Sequence, residues 1–181
     1  MFTQEIYQKA IKFAGEKHAN QCVPGTKANY LLHLSNVAME IIATFISKPD
    51  FDINFAVQVA ILHDIIEDTD TTFNELKENF SKKIAQGVMA LTKNKFLLKS
   101  EQITDSLYRI KQQPKEVGMV KLADRITNLQ KPPIHWSSEK ISSYLKEAKL
   151  IAESLSNKNE YLHNRILLKI DEYKKFDVFS K

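Results

Sequence analysis

Apolar residues recur at spacings of three and four along almost the whole chain, the period of an amphipathic helix. In the first such stretch, residues 3–18, Ile6, Ala10, Phe13 and Ala14 fall on one face. Residues 20–29 break the pattern with Pro24 and Gly25 and read as a loop. The period resumes over 33–46 and stops before Lys48-Pro49. A third helix starts near Asn54, behind Asp52 as a candidate N-cap, and is expected to run unbroken to Glu67 or Asp68. Helical spacing also covers 73–80, 83–91, 100–112 (stopped by Pro114), 115–129 (stopped by Pro132-Pro133), 137–155 and 158–176. Four glycines and five prolines, with no Asn-Gly or Asp-Gly pair, are too few turn signals for a sandwich or barrel. With 181 residues, 43% of them hydrophobic, the chain can bury one substantial core. The expectation is one all-α domain, a helical bundle over residues 1–181.

Composition narrows the setting. Cys22 is the single cysteine and cannot form an internal disulfide. The opening Met1-Phe2-Thr3-Gln4-Glu5 carries no basic segment and no long apolar run, so no signal peptide is expected. No window is apolar for long enough to span a bilayer, and a cytoplasmic location is expected. The net charge of +4 is spread along the chain. It fits either a solvated lysine-rich surface or a field that attracts an anionic substrate. Aromatic residues do not interleave with basic runs, which argues against a nucleic-acid polymer as partner. The oligomeric state stays open.

Candidate chemistry is concentrated in Ala60-Ile61-Leu62-His63-Asp64-Ile65-Ile66-Glu67-Asp68. Helical spacing puts His63 on the inward stripe with Ala56, Val59 and Ala60, where a lone histidine is ordinarily a hydrogen-bonded core residue. Three carboxylates crowd this one, and their mutual repulsion calls for a cation. A second mixed stripe lies in Val120-Lys121-Leu122-Ala123-Asp124-Arg125-Ile126-Thr127-Asn128-Leu129. There Lys121, Asp124, Arg125 and Asn128 share a face, and Leu122, Ala123, Ile126 and Leu129 form the core side. A surface helix with an Asp-Arg pair would explain it; so would a phosphate-and-metal pocket. With His33, the residues His63, Asp64 and Asp124 make two imidazoles and two carboxylates. That thiolate-free set suits Mn²⁺ or Fe²⁺ better than structural zinc, and Mn²⁺ is the first choice.

The order His33, His63-Asp64, Asp124 resembles the HD superfamily of metal-dependent phosphohydrolases. His63-Asp64-Ile65-Ile66-Glu67-Asp68 resembles the HDxxED signature of the RelA/SpoT hydrolase domain, and Val120 to Leu129 its VKLADRxxNL signature. Trp136-Ser137 followed by Tyr144, and the run from His18-Ala19-Asn20-Gln21 to Tyr30-Leu31-Leu32-His33, are similar to the same branch. The resemblance spans roughly residues 5–175 and is nearest to small stand-alone hydrolases such as the metazoan SpoT homologue. It implies an HD-type helical bundle that hydrolyses the 3′-pyrophosphate of guanosine tetra- or pentaphosphate (ppGpp, pppGpp), giving GDP or GTP and pyrophosphate. It implies Mn²⁺ on His33, His63, Asp64 and Asp124, with Glu67 and Asp68 orienting or deprotonating a metal-bound water. Asn128 and Tyr144 would contact the nucleoside, and Lys99 a phosphate. Lys121 and Arg125 would add charge stabilisation or lock the helix, the structural role being favoured for Arg125. Trp136 would be a core or lid anchor. No synthetase or regulatory region fits in this length, so any such activity would be degradative.

The chain departs from that branch in the loop before His33. Many members carry an Arg-Lys pair there; this chain has Cys22-Val23-Pro24-Gly25, with Lys27 as a candidate substitute lacking the arginine fork. Asn29-Tyr30 and His33-Leu34 replace the family's Pro-Tyr and His-Pro pairs. Two alternatives follow: an HD phosphohydrolase acting on another phosphorylated nucleotide, such as a nucleoside phosphate or the 2′-phosphate of NADPH, or a non-catalytic helical binding module.

Overall fold

A computed structural model describes residues 4–177. The chain forms α1 (Gln4–Lys17), α2 (Leu31–Ser47), α3 (Ile53–Leu62), α4 (Ile65–Asp68), α5 (Phe73–Asn79), α6 (Lys82–Leu91), α7 (Lys99–Lys111), α8 (Lys115–Asn128), α9 (Ser138–Ser154) and α10 (Glu160–Tyr173), closed by a 3₁₀ turn (Lys174–Phe176). No strand occurs among the described residues; one isolated bridge joins Cys22 and Asn29. The all-α expectation holds. The expected start of the first helix, Thr3, lies outside the described residues.

Helix starts follow from side-chain caps. Asp52, Thr72, Ser81, Ser137 and Asn159 each accept a hydrogen bond from the amide three residues on, satisfying donors that a helix N-terminus otherwise leaves open. Asn159 moves the start of the last α-helix to Glu160, two residues beyond the sequence expectation.

Two helices form the centre. In α3 only Asn54 and Gln58 are not buried, and in α8 every residue from Glu116 to Thr127 is buried. The surface-helix reading of the 120–129 stripe is therefore wrong: Lys121, Asp124 and Arg125 of its polar face are buried too, and Asn128 alone of the four is exposed. Helix α2 packs on both central helices, α1 and α6 flank α3, and α10 covers α8. Burial of Leu62, Ile61, Val59 and Met119, all fully enclosed, contributes on the order of 1.5–3 kcal/mol for each large side chain. Glu116, itself buried, accepts the Asp52 amide at 3.0 Å and so ties α8 to the first turn of α3. Gly87 lets α6 approach both, since a Cβ there would stand 3.2 Å from Val117 and 3.4 Å from Phe55 and Val59. Among the described residues, no helix is long and apolar enough to cross a membrane.

Candidate active site

The expected unbroken third helix is interrupted, and the break builds the site. Helix α3 ends at Leu62, and Asp64 adopts φ −99°, ψ 0° before the single turn of α4. The His63 ring Nδ1 hydrogen-bonds the Ala60 carbonyl at 2.7 Å, competing for the acceptor a continuing helix would offer to the Asp64 amide. Adjacent residues on a regular helix do not face each other. The bend lets these two converge, with His63 Nε2 3.0 Å from Asp64 Oδ2.

His33, in the first turn of α2, meets them: its Nε2 lies 3.2 Å from His63 Nε2 and 3.7 Å from Asp64 Oδ2. From α8, Asp124 Oδ1 comes within 3.5 Å of His33 Nε2 and 3.7 Å of His63 Nε2. The ligand atoms of His33, His63 and Asp64 all lie within 4.8 Å of one another. The bond from His63 Nδ1 to Ala60 assigns the lone pair of the neutral ring to Nε2, which faces its counterpart on His33. Two ring nitrogens facing at this distance need a proton or a cation between them. Burial pushes the His63 imidazole down, but Asp64 and Asp124 outweigh it and hold it well above its ordinary value. Burial likewise raises Asp64, yet His63 brings it down overall. Asp124 is also held well below the usual carboxylate range, by Lys121 and the two imidazoles against its burial. Two ionised carboxylates and two imidazoles, without thiolate, fit a divalent cation of the first transition row.

A second layer orients these side chains. Tyr30 donates to Asp64 Oδ2 at 2.5 Å, and burial keeps its hydroxyl protonated. Lys121 Nζ donates to Asp124 Oδ2 at 3.0 Å and Asn128 Nδ2 to Asp124 Oδ1 at 2.6 Å. Glu67 receives the Lys93 amide at 2.9 Å and the Lys93 ammonium at 3.3 Å. Asp68 accepts from Gln21 Nε2 at 2.8 Å, and Gln21 Oε1 is fixed by His18 Nδ1 at 2.6 Å. Burial raises the Asp68 carboxyl above its ordinary value despite that bond.

A cavity of about 560 Å³ opens on this cluster. His63, Asp64 and Asp124 line its floor together with Glu67 and Asp68, and Lys99, Lys121, Asn128 and Tyr144 complete the sequence-predicted set around it. His33 faces instead a second cavity of about 330 Å³, walled by Val23, Leu32, Pro133 and Trp136. Asn128 and Tyr144 border both. Lys99 is exposed at the start of α7, whereas Lys121 and Asn128 are turned onto Asp124. Arg125 forms an ion pair with Glu147 and lies over the Tyr144 ring, 4.1 Å from its centroid, joining α8 to α9 at the edge of the same cavity as Lys99. Trp136 meets Tyr144 edge-on at 5.1 Å. Lys27 is exposed and is not among the residues lining either cavity; Val23, Pro24 and Thr26 supply that loop's share. Sequence reasoning missed Tyr30, Gln21 and Lys93. Tyr30 stands one turn before His33 and reads locally as an apolar position; nothing local distinguishes Lys93 from a surface lysine.

Residues 10–159 match the HD domain family. The chain belongs to that family. This HD domain is 30% identical over 166 residues to the guanosine-3′,5′-bis(diphosphate) 3′-pyrophosphohydrolase MESH1 of Danio rerio, covering 89% of the chain and 90% of the relative. It is 35% identical over 129 residues to a guanosine-3′,5′-bis(diphosphate) 3′-pyrophosphohydrolase of Aquifex aeolicus, covering 70% of the chain but only 18% of that longer protein. The solved structure of a metazoan SpoT ortholog superposes with a TM-score of 0.79 at 24% identity, over 97% of each chain, which establishes a shared HD fold.

Proposed function

We propose that this HD domain hydrolyses the 3′-diphosphate of guanosine tetra- or pentaphosphate, releasing pyrophosphate and GDP or GTP, with Mn²⁺ on His33, His63, Asp64 and Asp124. The observation that carries the reading is the convergence of these four side chains on one another, three of which (His63, Asp64 and Asp124) open with Glu67 and Asp68 on one cavity. The likeness to MESH1 over nearly the full length of both chains supports the substrate class. A divalent cation in this donor set supplies Lewis-acid charge to phosphoryl oxygens and acidifies water at the site.

The chain's own groups account for the rest. Water attacks the phosphorus bonded to the ribose O3′, the bond from that phosphorus to O3′ breaks, and the product nucleotide regains a 3′-hydroxyl. Glu67 and Asp68, both at the cavity floor, take the proton of the attacking water, and a proton is returned to O3′. Their tethers to Lys93 and Gln21 fix them for that transfer, as a positioned acid–base group requires. Lys99 reaches the diphosphate, Lys121 and Asn128 hold Asp124 in its ligating orientation, and Asn128 and Tyr144 meet the nucleoside at the border of the two cavities. A retained pair of anchored carboxylates favours a catalyst over a binding module.

The uncharged Val23-Pro24-Thr26 lining favours a second reading, the same catalyst on another phosphorylated nucleotide. One panel decides between them. Manganese-loaded protein is offered ppGpp, pppGpp, NADPH and nucleoside monophosphates, with Asp64→Ala as control. The expected result is pyrophosphate from the guanosine polyphosphates, none from the variant. Phosphate from NADPH with no pyrophosphate from ppGpp would transfer the assignment to the second reading.

A further inference from the structure

The turn that carries Glu67 cannot hold itself. Helix α4 has four residues, and a single turn does not recover the conformational cost of nucleating a helix. Ile65 seats it in the core, and the support of Glu67 comes from the segment after α6. Lys93 presents its amide to Glu67 Oε2 at 2.9 Å and its ammonium to Oε1 at 3.3 Å, and Lys95 Nζ reaches the Glu67 carbonyl at 2.8 Å. Two donors on two different oxygens fix the plane of the carboxylate as well as its location.

That segment is itself anchored. The last carbonyls of α6 would be open at a free helix end, but α7 supplies donors to them. Ser106 donates to the Ala90 carbonyl at 3.0 Å, and Arg109, held by Asp105 at 2.8 Å, donates to the carbonyls of Ala90 at 3.0 Å and Thr92 at 2.8 Å. Restraint therefore passes from Asp105 through Arg109 and the Thr92–Lys93 peptide to the Glu67 carboxylate. The Glu67 charge in turn keeps the Lys93 ammonium protonated against its partial burial.

We propose that Lys93 is the positioning residue for Glu67, its amide and ammonium together aiming the carboxylate at the attacking water. The inference rests on the hydrolase reading above, in which Glu67 takes the water's proton. Lys93 borders the same cavity as Lys99, so the competing role is a direct contact with substrate phosphate, and the two differ in what they do to KM.

The test compares wild type, Lys93→Met and Lys93→Arg, each loaded with Mn²⁺, for turnover of ppGpp and for metal affinity. Lys93→Met keeps the amide and the stem but loses the charge. It is expected to lower kcat roughly 10- to 100-fold, the scale of a misplaced catalytic group, with KM within about twofold and metal affinity unchanged. Lys93→Arg restores most of the rate. Crystal structures of wild type and Lys93→Met read the positioning without turnover: the Glu67 carboxylate moves while His33, His63, Asp64 and Asp124 stay. Unchanged kcat, a rise confined to KM, or an unmoved carboxylate overturns the proposal. A wild-type protein that releases nothing from ppGpp sinks the hydrolase reading instead, so the two failures are told apart.

Discussion

Metal binding at this site should expel the proton that His63 holds, and the structure sets the sign. His33 Nε2 and His63 Nε2 face each other at 3.2 Å with Asp64 and Asp124 beside them. With no ion bound, both carboxylates are ionised and the His63 imidazole is held protonated well above its ordinary value of 6.5. One proton thus occupies the seat a cation would take. A ligating imidazole must be neutral, so binding releases that proton. Apparent affinity for Mn²⁺ should rise about tenfold for each pH unit below the raised His63 value and level off above it, since one unit corresponds to about 1.4 kcal/mol. Stability of the metal-free protein follows the same groups in the opposite sense. His63, raised in the fold, contributes fully below 6.5 and loses its contribution as pH climbs through the raised value. Asp64 and Asp124, lowered in the fold, contribute above the ordinary carboxylate value of 3.8 and lose theirs as pH falls through the lowered one. Calorimetric titration with Mn²⁺ near neutrality, in buffers of differing ionisation enthalpy, counts the protons directly. Zero protons released, or an affinity flat between about pH 6 and 7, would refute the reasoning.

Three further outcomes are expected. Tyr30→Phe removes the bond to Asp64 Oδ2 but keeps the ring against His18 and His33; Mn²⁺ affinity should fall on the order of tenfold, the effect of losing an outer partner of a ligand, and an unaltered binding isotherm would discount it. Glu67→Gln should bind Mn²⁺ normally yet turn over roughly 10²- to 10⁴-fold more slowly; a wild-type kcat would remove Glu67 from the chemistry. Lys99→Ala, at an exposed lysine on the cavity wall, should act mainly on KM; a pure loss of kcat would mean that Lys99 touches the transition state.

Much of this was legible in the chain because helical periodicity and capping residues are local signals. Asp52 as a cap and Pro114 as a stop bound their helices as expected. The cluster proposed to hold the metal was legible by type and order, since His63 and Asp64 sit in a segment too apolar to leave them unpaired and Asp124 lies in a stripe of mixed charge. The chemical layer beneath it was not. Helical spacing described Lys121 and Asn128 as one face of a stripe, but their partner, Asp124, is within the same stripe, so their polar atoms are directed at its carboxylate. Tyr30, Gln21 and Lys93 lie 34, 47 and 26 residues from the carboxylates they bond, and no local pattern registers contacts of that kind. The break at His63-Asp64 escaped for a related reason. Its cause is a side-chain bond to Ala60 that competes with the backbone, while every residue from Ile53 to Asp68 is compatible with a continuous helix.

That break links catalysis to substrate choice. Bringing adjacent residues to one point requires a bend, and the bend leaves Glu67 and Asp68 on a short turn that Ile65 seats in the core and whose carboxylates are oriented from neighbouring loops. One of those loops holds Gln21, which fixes Asp68, and also Val23, Pro24 and Thr26, which line the second cavity. The amide of Tyr30, the residue that orients Asp64, is pinned to the Gln21 carbonyl at 2.9 Å. A change in the 20–29 segment that reshapes the second cavity therefore also shifts the supports of Asp64 and Asp68. On the proposed function, nucleotide preference and turnover number should be coupled through this segment, and substitutions at Val23 or Thr26 that alter the first should alter the second in steady-state assays.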